Sequence, residues 1–338
     1  MIHVSKPDVT DLEKKYVNEA LDTGWISSQG PHIKKFEKAW AEYNDQEYGV
    51  ATSSGTTALT VALRALGIGK GDEVIVPDFT MIATAWAVEY VGATPVFVDC
   101  ADDLNIDVNL IEGHISCRTK AIIPVHIYGR QCNMDEIMRI AYEYNLFVVE
   151  DSAEAHGVKP VGDIACYSLF ANKILSSGEG GVCLTKSERL AKQMNHIKAM
   201  AFDEDHTFLH KKLGYNFRMT NLAGAFALAQ VERIDEILAK RKQIEEWYDK
   251  HIPTVNQMPK RDVLWMYDVQ ARNAGALRKK LADNGVETRV FFKPMSDQPM
   301  FKEHRLDSNA RDWSMKGFYL PTFNSITEEE IKFIASLF

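Results

Sequence analysis

The sequence contains few cysteines and lacks the spacings that mark cysteine or histidine metal sites. Its five cysteines are odd in number and scattered, and no two of them form a C-x-x-C pair. A disulfide framework or a zinc site would need such pairs, so the pattern favours buried thiols in a reducing compartment. The ten histidines include no H-E-x-x-H motif. We therefore expect no catalytic metal.

The chain also lacks the features of proteins that bind nucleic acids or membranes. Its formal net charge is −8, from 39 Lys and Arg against 47 Asp and Glu, with no basic block, whereas nucleic-acid surfaces usually show clustered Lys and Arg. No apolar run reaches the roughly 20 residues that span a bilayer. Residues 1–11 do not have the basic-then-apolar order of a signal peptide. We expect a cytoplasmic protein without nucleic-acid or membrane partners.

Short runs rich in Val and Ile alternate with helical stretches through the first two thirds of the chain. This alternation predicts an α/β fold with a mostly parallel central sheet and helices on both faces. Pro253 and Pro259 flank a predicted linker, so we expect a large domain at residues 1–250, including the N-terminal segment, and a smaller C-terminal α/β domain at residues 251–338. The predicted strands are Glu73–Pro77, Thr94–Asp99, Ala121–His126, Leu146–Asp151, Ala165–Phe170 and Gly181–Thr185; the predicted helical stretches are Thr57–Leu66, Ile82–Tyr90, Met134–Tyr144 and Asn221–His251.

Three segments carry candidate chemistry, and an α/β sheet binds its ligands at the carboxyl ends of its strands. The hydroxyl-rich turn Ser53–Leu59 opens a helix, which suits an anion site or a helix cap without a ligand. Asp151 ends a predicted strand, where its carboxylate would pair with a cationic ring nitrogen or cap the next turn. Lys173 lies between a predicted strand and the glycine-rich turn Gly178–Gly181. A desolvated lysine there is a nucleophile for Schiff bases, whereas a surface lysine would keep its charge in water.

In chain order these segments resemble the DegT/DnrJ/StrS family of sugar aminotransferases, which use pyridoxal phosphate (PLP). The combination of E-D-S-A-E-A-H-G from Glu150 with a lysine before G-E-G-G is the most specific part. The resemblance covers nearly the whole chain and implies the fold type I architecture of PLP-dependent aminotransferases. Further matching segments are Trp25–Gly30, Gly71–Pro77, Gly92–Asp99, Pro124–Gly129, Gly214–Met219 and Leu320–Thr322.

The resemblance implies a complete cofactor site. Lys173 would bind PLP as a Schiff base and, once freed by the substrate, would move the protons of the reaction. Asp151 would pair with the pyridine nitrogen. Gly55, Thr56 and Ser168 would hold the phosphate of the cofactor. Lys173 and Asp151 are therefore the expected catalytic pair.

Three more cofactor positions carry information on assembly and on the branch of the family. Asn216 resembles the asparagine that reaches the phosphate of the neighbouring subunit, which implies a homodimer with shared active sites. Glu154 stands where many members have glutamine near the ring hydroxyl, and glutamate resembles the branch that makes perosamine-like sugars. Met81 replaces the usual aromatic ring that stacks on the cofactor. Its polarisable sulfur, or Phe79 or Trp86, would then supply that contact.

The resemblance also implies the substrates. A keto sugar on a nucleotide diphosphate would accept an amino group from L-glutamate, and the perosamine-like features imply C4 of a GDP-linked 4-keto-6-deoxy sugar. A dTDP- or UDP-linked sugar with a viosamine-type product is the alternative. The segment Pro259–Arg272, in a region that shapes the sugar pocket, is shorter than the family pattern. The candidate substrate residues are Trp25, Ser27, His156 and Arg218.

Other activities on a similar fold would leave different marks in the sequence. Sugar dehydratases of this family have histidine in place of the PLP lysine, so Lys173 favours the aminotransferase. A PLP-binding regulator without turnover would need a DNA-binding or signalling module, and no such pattern is visible. A nicotinamide-dependent enzyme would need G-x-G-x-x-G after the first strand. Gly178–Gly181 has a different spacing and precedes a strand.

Overall fold

The centre of the protein is a seven-stranded sheet, described by a computed structural model that covers residues 1–202, 208–304 and 308–338. Its strands are β1 (Tyr48–Thr52), β2 (Glu73–Pro77), β3 (Thr94–Val98), β4 (Thr119–Ile122), β5 (Phe147–Asp151), β6 (Ile164–Ser168) and β7 (Gly181–Thr185). They lie in the order β1-β7-β6-β5-β4-β2-β3. Within this sheet β7 alone runs antiparallel to its neighbours. The predicted mostly parallel sheet is confirmed.

Two predicted strand positions need correction. Strand β1 was not predicted, and β4 ends at Ile122 rather than at His126. Pro124 lacks an N–H group and cannot continue a ladder. The regular strand therefore ends at Ile122, although the Pro124 carbonyl still accepts from the Asp151 amide at 2.9 Å and Val125 forms an isolated bridge with Asp151.

Helices cover both faces of the sheet, as the alternation of the strand side chains requires. Val182 and Leu184 of β7 face a cluster that contains Phe36, while Cys183 faces the opposite cluster with Leu59. The helices are α1 (Asp11–Asp22), α2 (Pro31–Tyr43), α3 (Gly55–Ala65), α4 (Ile82–Tyr90), α5 (Val108–Ile111), α6 (Met134–Glu143), α7 (Glu188–Lys198), α8 (Asn221–Glu232), α9 (Ile234–His251), α10 (Ala274–Asp283), α11 (Asn309–Lys316) and α12 (Glu328–Ala335).

The predicted helical stretch 221–251 is two helices that separate at Arg233. The backbone of Arg233 leaves the helical region at φ −109° and ψ 10°. Its guanidinium forms ion pairs with Asp8 at 2.9 Å and with Glu13 at 2.9 Å. These contacts tie the break between α8 and α9 to the N-terminal segment.

The C-terminal part contains a second, antiparallel sheet in the order β8-β10-β9, formed by β8 (Tyr267–Gln270), β9 (Arg289–Val290) and β10 (Gly317–Leu320). Its apolar cluster includes Phe318 and also Tyr248 of α9, and Ile2 packs against it. The domain boundary at residue 250 stays a prediction, because both ends of the large domain contribute to this cluster. Among the described residues, no helix has the length and apolar character needed to cross a membrane.

Candidate active site

Three predicted site residues lie where sheet strands end or where a helix begins. Asp151 is the last residue of β5, Ser168 is the last residue of β6, and Gly55 is the first residue of α3. A Cβ atom on Gly55 would lie 2.8 Å from Cβ of Ser168. Only glycine therefore allows the start of α3 to lie so close to the end of β6.

The start of α3 presents free backbone N–H donors near the carboxyl end of β6. Ser54 caps the helix by accepting from the Thr57 amide at 3.2 Å, and the Thr57 hydroxyl accepts from the Ser54 amide at 2.9 Å. This capping box leaves the amides of Gly55 and Thr56 at the open end of the helix. Such amides, together with the helix dipole, favour an anion.

The Asp151 carboxylate is buried and held at both oxygens. Oδ2 accepts from the Thr84 hydroxyl at 2.8 Å, and Oδ1 accepts from the Ala153 amide at 3.1 Å. Burial raises the pKa of Asp151, whereas the hydrogen bonds from Thr84 and Ala153 and the charges of Lys173 and His126 lower it. A cation placed beside this carboxylate would be strongly favoured, because the carboxylate is buried.

Lys173 and Glu154 form a nearly buried ion pair beside Asp151. Nζ of Lys173 lies 3.4 Å from Oε1 of Glu154, with 12% of the lysine side chain and 4% of the glutamate side chain exposed. Oε2 of Glu154 accepts from the Tyr128 amide at 2.9 Å. Burial raises the pKa of Glu154 to about 7, although the charge of Lys173 and the Tyr128 amide oppose the shift.

Backbone geometry at Tyr128 aims its amide at Glu154. Tyr128 is buried and has φ 54° and ψ 26°, a left-handed conformation that is uncommon for a side chain of this size. Gly129 follows with φ 86°, and a Cβ atom there would overlap the Val263 carbonyl. Strained backbone of this kind persists only where the surroundings fix it, and such positions cluster at functional sites.

Trp265 completes the surroundings of Lys173. Nζ of Lys173 lies 4.0 Å from the centre of the Trp265 ring, and the indole N–H donates to the Asn172 carbonyl at 2.8 Å. Trp265 was not identified from the sequence. It lies in the segment Pro259–Arg272, where the resemblance predicts a departure but no particular residue.

These groups suit a ligand with an anionic group at one end and a cationic ring nitrogen at the other. The amides at the start of α3 match the anion, and the buried Asp151 matches the ring nitrogen. Lys173 supplies an amine whose charge acts on Asp151. PLP has this combination of groups, so the described residues fit the cofactor.

Met81 and its two predicted substitutes have different surroundings. Met81 lies at the N-cap of α4 with 51% of its surface exposed. Phe79 is fully buried, with its ring 5.7 Å from that of Phe291. Trp86 packs against Tyr90 with a centroid distance of 6.4 Å. Of the three, Met81 has the most exposed side chain, and Phe79 belongs to an enclosed aromatic cluster.

His156, a predicted substrate residue, lies in the interior of the protein. His156 is fully buried, with its ring centre 5.8 Å from Trp40 and 5.4 Å from Tyr167. Burial is also the main reason that its pKa falls to about 3, so the ring is neutral. His156 is therefore an uncharged, enclosed side chain that lies close enough to Lys173 to sense its charge, and its role toward the substrate stays a prediction.

The segment Trp25–Gly30 is an exposed loop that Asn221 holds in place. Trp25 is 52% exposed, and its carbonyl accepts from Nδ2 of Asn221 at 2.7 Å. The Asn221 amide donates to the Ser27 carbonyl at 2.6 Å. Oδ1 of Asn221 accepts from the amides of His32 and Ile33 at the start of α2. A side chain at Gly30 would overlap Asn221. Asn221 can therefore hold this loop only because residue 30 is a glycine.

Asn216 and Arg218 lie at the surface, and Oδ1 of Asn216 accepts from Nε of Arg218 at 2.7 Å. Arg218 lines a cavity of about 390 Å³ together with Ser53, Ser177 and Glu179. Because the Ser53 amide donates to the Phe217 carbonyl at 3.2 Å, this surface adjoins the turn that leads into α3.

Fold and site together define a PLP-dependent aminotransferase. The family model for DegT/DnrJ/EryC1/StrS aminotransferases matches residues 7–338. This chain belongs to that family, and its cofactor is PLP.

Named relatives and solved structures agree with this assignment over almost the full length of the chain. The chain is 41% identical to the GDP-perosamine synthase of Escherichia coli O157:H7, covering 98% of this chain and 96% of the relative. It is also 41% identical to the GDP-perosamine synthase of Caulobacter vibrioides, with 99% and 97% covered. The PLP form of the putative sugar aminotransferase Spr1654 from Streptococcus pneumoniae superimposes with a TM-score of 0.91 at 27% identity, covering 98% of this chain and 96% of that one.

Proposed function

We propose that this enzyme transfers the amino group of L-glutamate to C4 of a GDP-linked 4-keto-6-deoxy sugar, as a GDP-perosamine synthase. Two relatives with that name are 41% identical over nearly the whole chain, and this observation carries the choice of substrate. Glutamate at position 154 supports the same branch. The nearly buried Lys173 and the buried Glu154 and Asp151 support the transfer reaction.

In this proposal Lys173 and Asp151 are the two catalytic residues. PLP, when bound, supplies an electron sink for the carbon that loses or gains a proton. Asp151 keeps a proton on the ring nitrogen, because an ion pair at about 4 Å and an effective dielectric of about 20 contributes about 4 kcal/mol. The Lys173 amine moves the proton as general base and acid at Nζ.

Glu154 supports Lys173 in this step. The Lys173 amine donates a hydrogen bond to Oε1 of Glu154 at 3.4 Å. With a pKa near 7, the carboxyl group can hold a proton or release it at the working pH, which is the range where general acid–base groups are most effective. The amides of Gly55 and Thr56 and the Ser168 hydroxyl orient the phosphate and take no part in proton transfer.

The proposal includes a cytoplasmic homodimer. Asn216 is exposed and fixed by Arg218, as expected of a side chain that reaches the phosphate site of the second subunit. Four of the five cysteines are buried and all are free, in keeping with a reducing compartment. Sedimentation of the holoenzyme tests the assembly: a monomer at assay concentrations would contradict the shared site.

Absorption spectroscopy tests the amino-donor half of the reaction. We expect L-glutamate to convert the visible band of the bound cofactor to that of its amine form in the natural protein, and we expect Lys173→Ala to fail to complete this conversion. Lys198→Ala is the matched control, since Lys198 forms a similarly buried ion pair with Glu37 at 3.2 Å outside the proposed site. A natural protein that binds PLP but does not respond to glutamate would contradict the donor assignment.

The acceptor is tested by adding GDP-, dTDP- and UDP-linked 4-keto-6-deoxy sugars to the glutamate-treated enzyme. We expect the original band to return fastest with the GDP-linked sugar, and mass spectrometry of the product to show the amine. Preference for the dTDP- or UDP-linked sugar would replace the GDP proposal with a viosamine-type activity and leave the aminotransferase assignment intact.

A further inference from the structure

Trp265 contacts the proposed cofactor lysine in two independent ways. Its ring face lies 4.0 Å from Nζ of Lys173, and its N–H donates to the carbonyl of the preceding residue, Asn172, at 2.8 Å. One contact concerns the charge at the end of the side chain, and the other fixes the backbone from which the side chain starts. A tryptophan that only filled space in the core would need neither contact.

The surroundings hold Trp265 itself in place. Nη1 of Arg241 donates to the Trp265 carbonyl at 2.9 Å. The Trp265 ring stacks on Tyr128 with a centroid distance of 5.7 Å and an interplanar angle of 27°. Trp265 is 2% exposed, so little freedom remains for the indole to move away from the lysine.

These contacts close a ring of interactions around the amine. Lys173 contacts Glu154, Glu154 accepts from the Tyr128 amide, the Tyr128 ring stacks on Trp265, and the Trp265 ring returns to Lys173. Glu154 can exchange a proton with the amine, but the indole ring cannot. The ring face attracts only the protonated form of the amine, through its quadrupole.

We propose that Trp265 is a positioning residue for Lys173, which holds the ammonium form over the indole face and fixes the start of the lysine side chain through Asn172. The proposal rests on the assignment of Lys173 as the PLP lysine. Without Trp265 the ammonium form would lose its contact with the ring face and the amine would be less well placed. Trp265 thus sets both the pH range and the rate at which the amine reacts.

The test follows covalent attachment of added PLP to cofactor-free protein, so it needs no sugar and no turnover. Stopped-flow absorbance gives the attachment rate at each pH. Borohydride reduction followed by peptide mass spectrometry shows which lysine carries the cofactor. If the natural protein is not modified at Lys173, the proposed function fails; the Trp265 proposal is judged only once Lys173 is confirmed.

The decisive variants are Trp265→Leu and Trp265→Met, with the second closer in size should the first fail to fold. We expect the pH midpoint of the attachment rate to move toward acid by about one unit, as loss of a desolvated cation–π contact predicts. The plateau rate at high pH should fall about tenfold, because the Asn172 carbonyl loses the indole N–H that fixes the start of the lysine side chain. Trp265→Phe keeps an aromatic face, so its pH midpoint should lie close to that of the natural protein.

Two controls separate positioning from packing. Phe291→Leu loosens the same aromatic cluster, since Phe291 packs on Tyr128 at 5.2 Å, and should leave the midpoint unchanged. The charged or titratable groups near the amine are Glu154, Asp151 and His156, with Arg241 next to His156. Of these, Glu154 titrates nearest the working pH, so the comparison is repeated in a Glu154→Gln background, where the acid shift should persist. An unchanged midpoint in the aliphatic variants, or the same shift in Phe291→Leu, would overturn the proposal.

Discussion

Replacing Glu154 with glutamine should make the stability of the cofactor-free protein much less dependent on pH. Glu154 is enclosed, and burial raises its pKa from 4.5 to about 7. The folded state therefore binds more protons than the unfolded state between these two values, and the free energy of unfolding falls as the pH rises through this window. Glutamine keeps a similar shape and can still accept from the Tyr128 amide, but it does not titrate.

The size of the effect follows from the pKa shift. A shift from 4.5 to about 7 corresponds to about 3 kcal/mol at about 1.4 kcal/mol per unit. Most of this difference should develop between pH 5 and pH 8, because at pH 5 the natural carboxyl is still mostly protonated in the folded protein. By pH 8 the glutamine variant should have gained about 3 kcal/mol relative to the natural protein, since the natural carboxylate is then charged and buried.

Urea unfolding of both cofactor-free proteins at pH 5, 6, 7 and 8, at one protein concentration, measures this difference. Glu13→Gln is the matched control, because Glu13 is also buried but has the opposite shift. Burial acts to raise the pKa of Glu13, yet hydrogen bonds from Thr10, Gln230 and Arg233 lower it overall. Its contribution is present above the unfolded value of 4.5 and is lost only at lower pH, so Glu13→Gln should give a constant loss from pH 5 to 8. A constant difference for Glu154→Gln as well would refute the reasoning.

Three further substitutions test other contacts of the site. Thr84→Val removes the hydroxyl that donates to Asp151 at 2.8 Å, and should weaken PLP binding about tenfold in equilibrium titrations of the cofactor-free protein, since hydrogen bonds to charged groups contribute about 1.5–3 kcal/mol. Asn221→Ala leaves two amides at the start of α2 without their acceptor, and should lower the free energy of unfolding by about 2 kcal/mol. It should also speed proteolysis in the loop Trp25–Gly30; equal cleavage rates in the two proteins would contradict the role of Asn221 in holding that loop. Gly55→Ala brings a Cβ atom to 2.8 Å from Ser168 and should weaken PLP binding, and Gly55→Ala with Ser168→Gly should recover part of the affinity if the clash is the cause.

The sheet and its functional edge were predictable because buried parallel strands have a clear signature. Short apolar runs predicted β2 and β7 with their observed bounds, and β5 was predicted to end at Asp151, where it does end. Strand β1 was missed, because Tyr48–Thr52 contains a glycine, an alanine and a threonine and lacks the apolar density of the other strands. The order of the strands is a tertiary property that periodicity alone does not determine.

Residues that act through long-range contacts were not predictable from local pattern. Thr84 is a buried threonine in a helix of mostly apolar residues, and only the packing of α4 brings it to Asp151. The N-cap residue of α2, Gly30, has no side chain that could accept from the first amides of the helix. Asn221 accepts from them instead, although it lies 189 residues from His32 in the sequence. Tyr128 lies in a segment that the resemblance identified, but its left-handed backbone is visible only in the structure.

The proposed site also depends on the C-terminal part of the chain. We therefore do not expect residues 1–250 to function as an independent domain. Trp265 contacts Lys173, and the carboxylate of Asp78, just after β2, accepts from the Ser296 amide at 2.7 Å and the Ser308 hydroxyl at 3.1 Å. A fragment that ended at residue 250 would leave the Asp78 carboxylate and the lysine without these partners. Leaving a buried charged group unpaired carries a penalty of several kcal/mol. Cofactor binding and folding of the C-terminal part should therefore be energetically coupled.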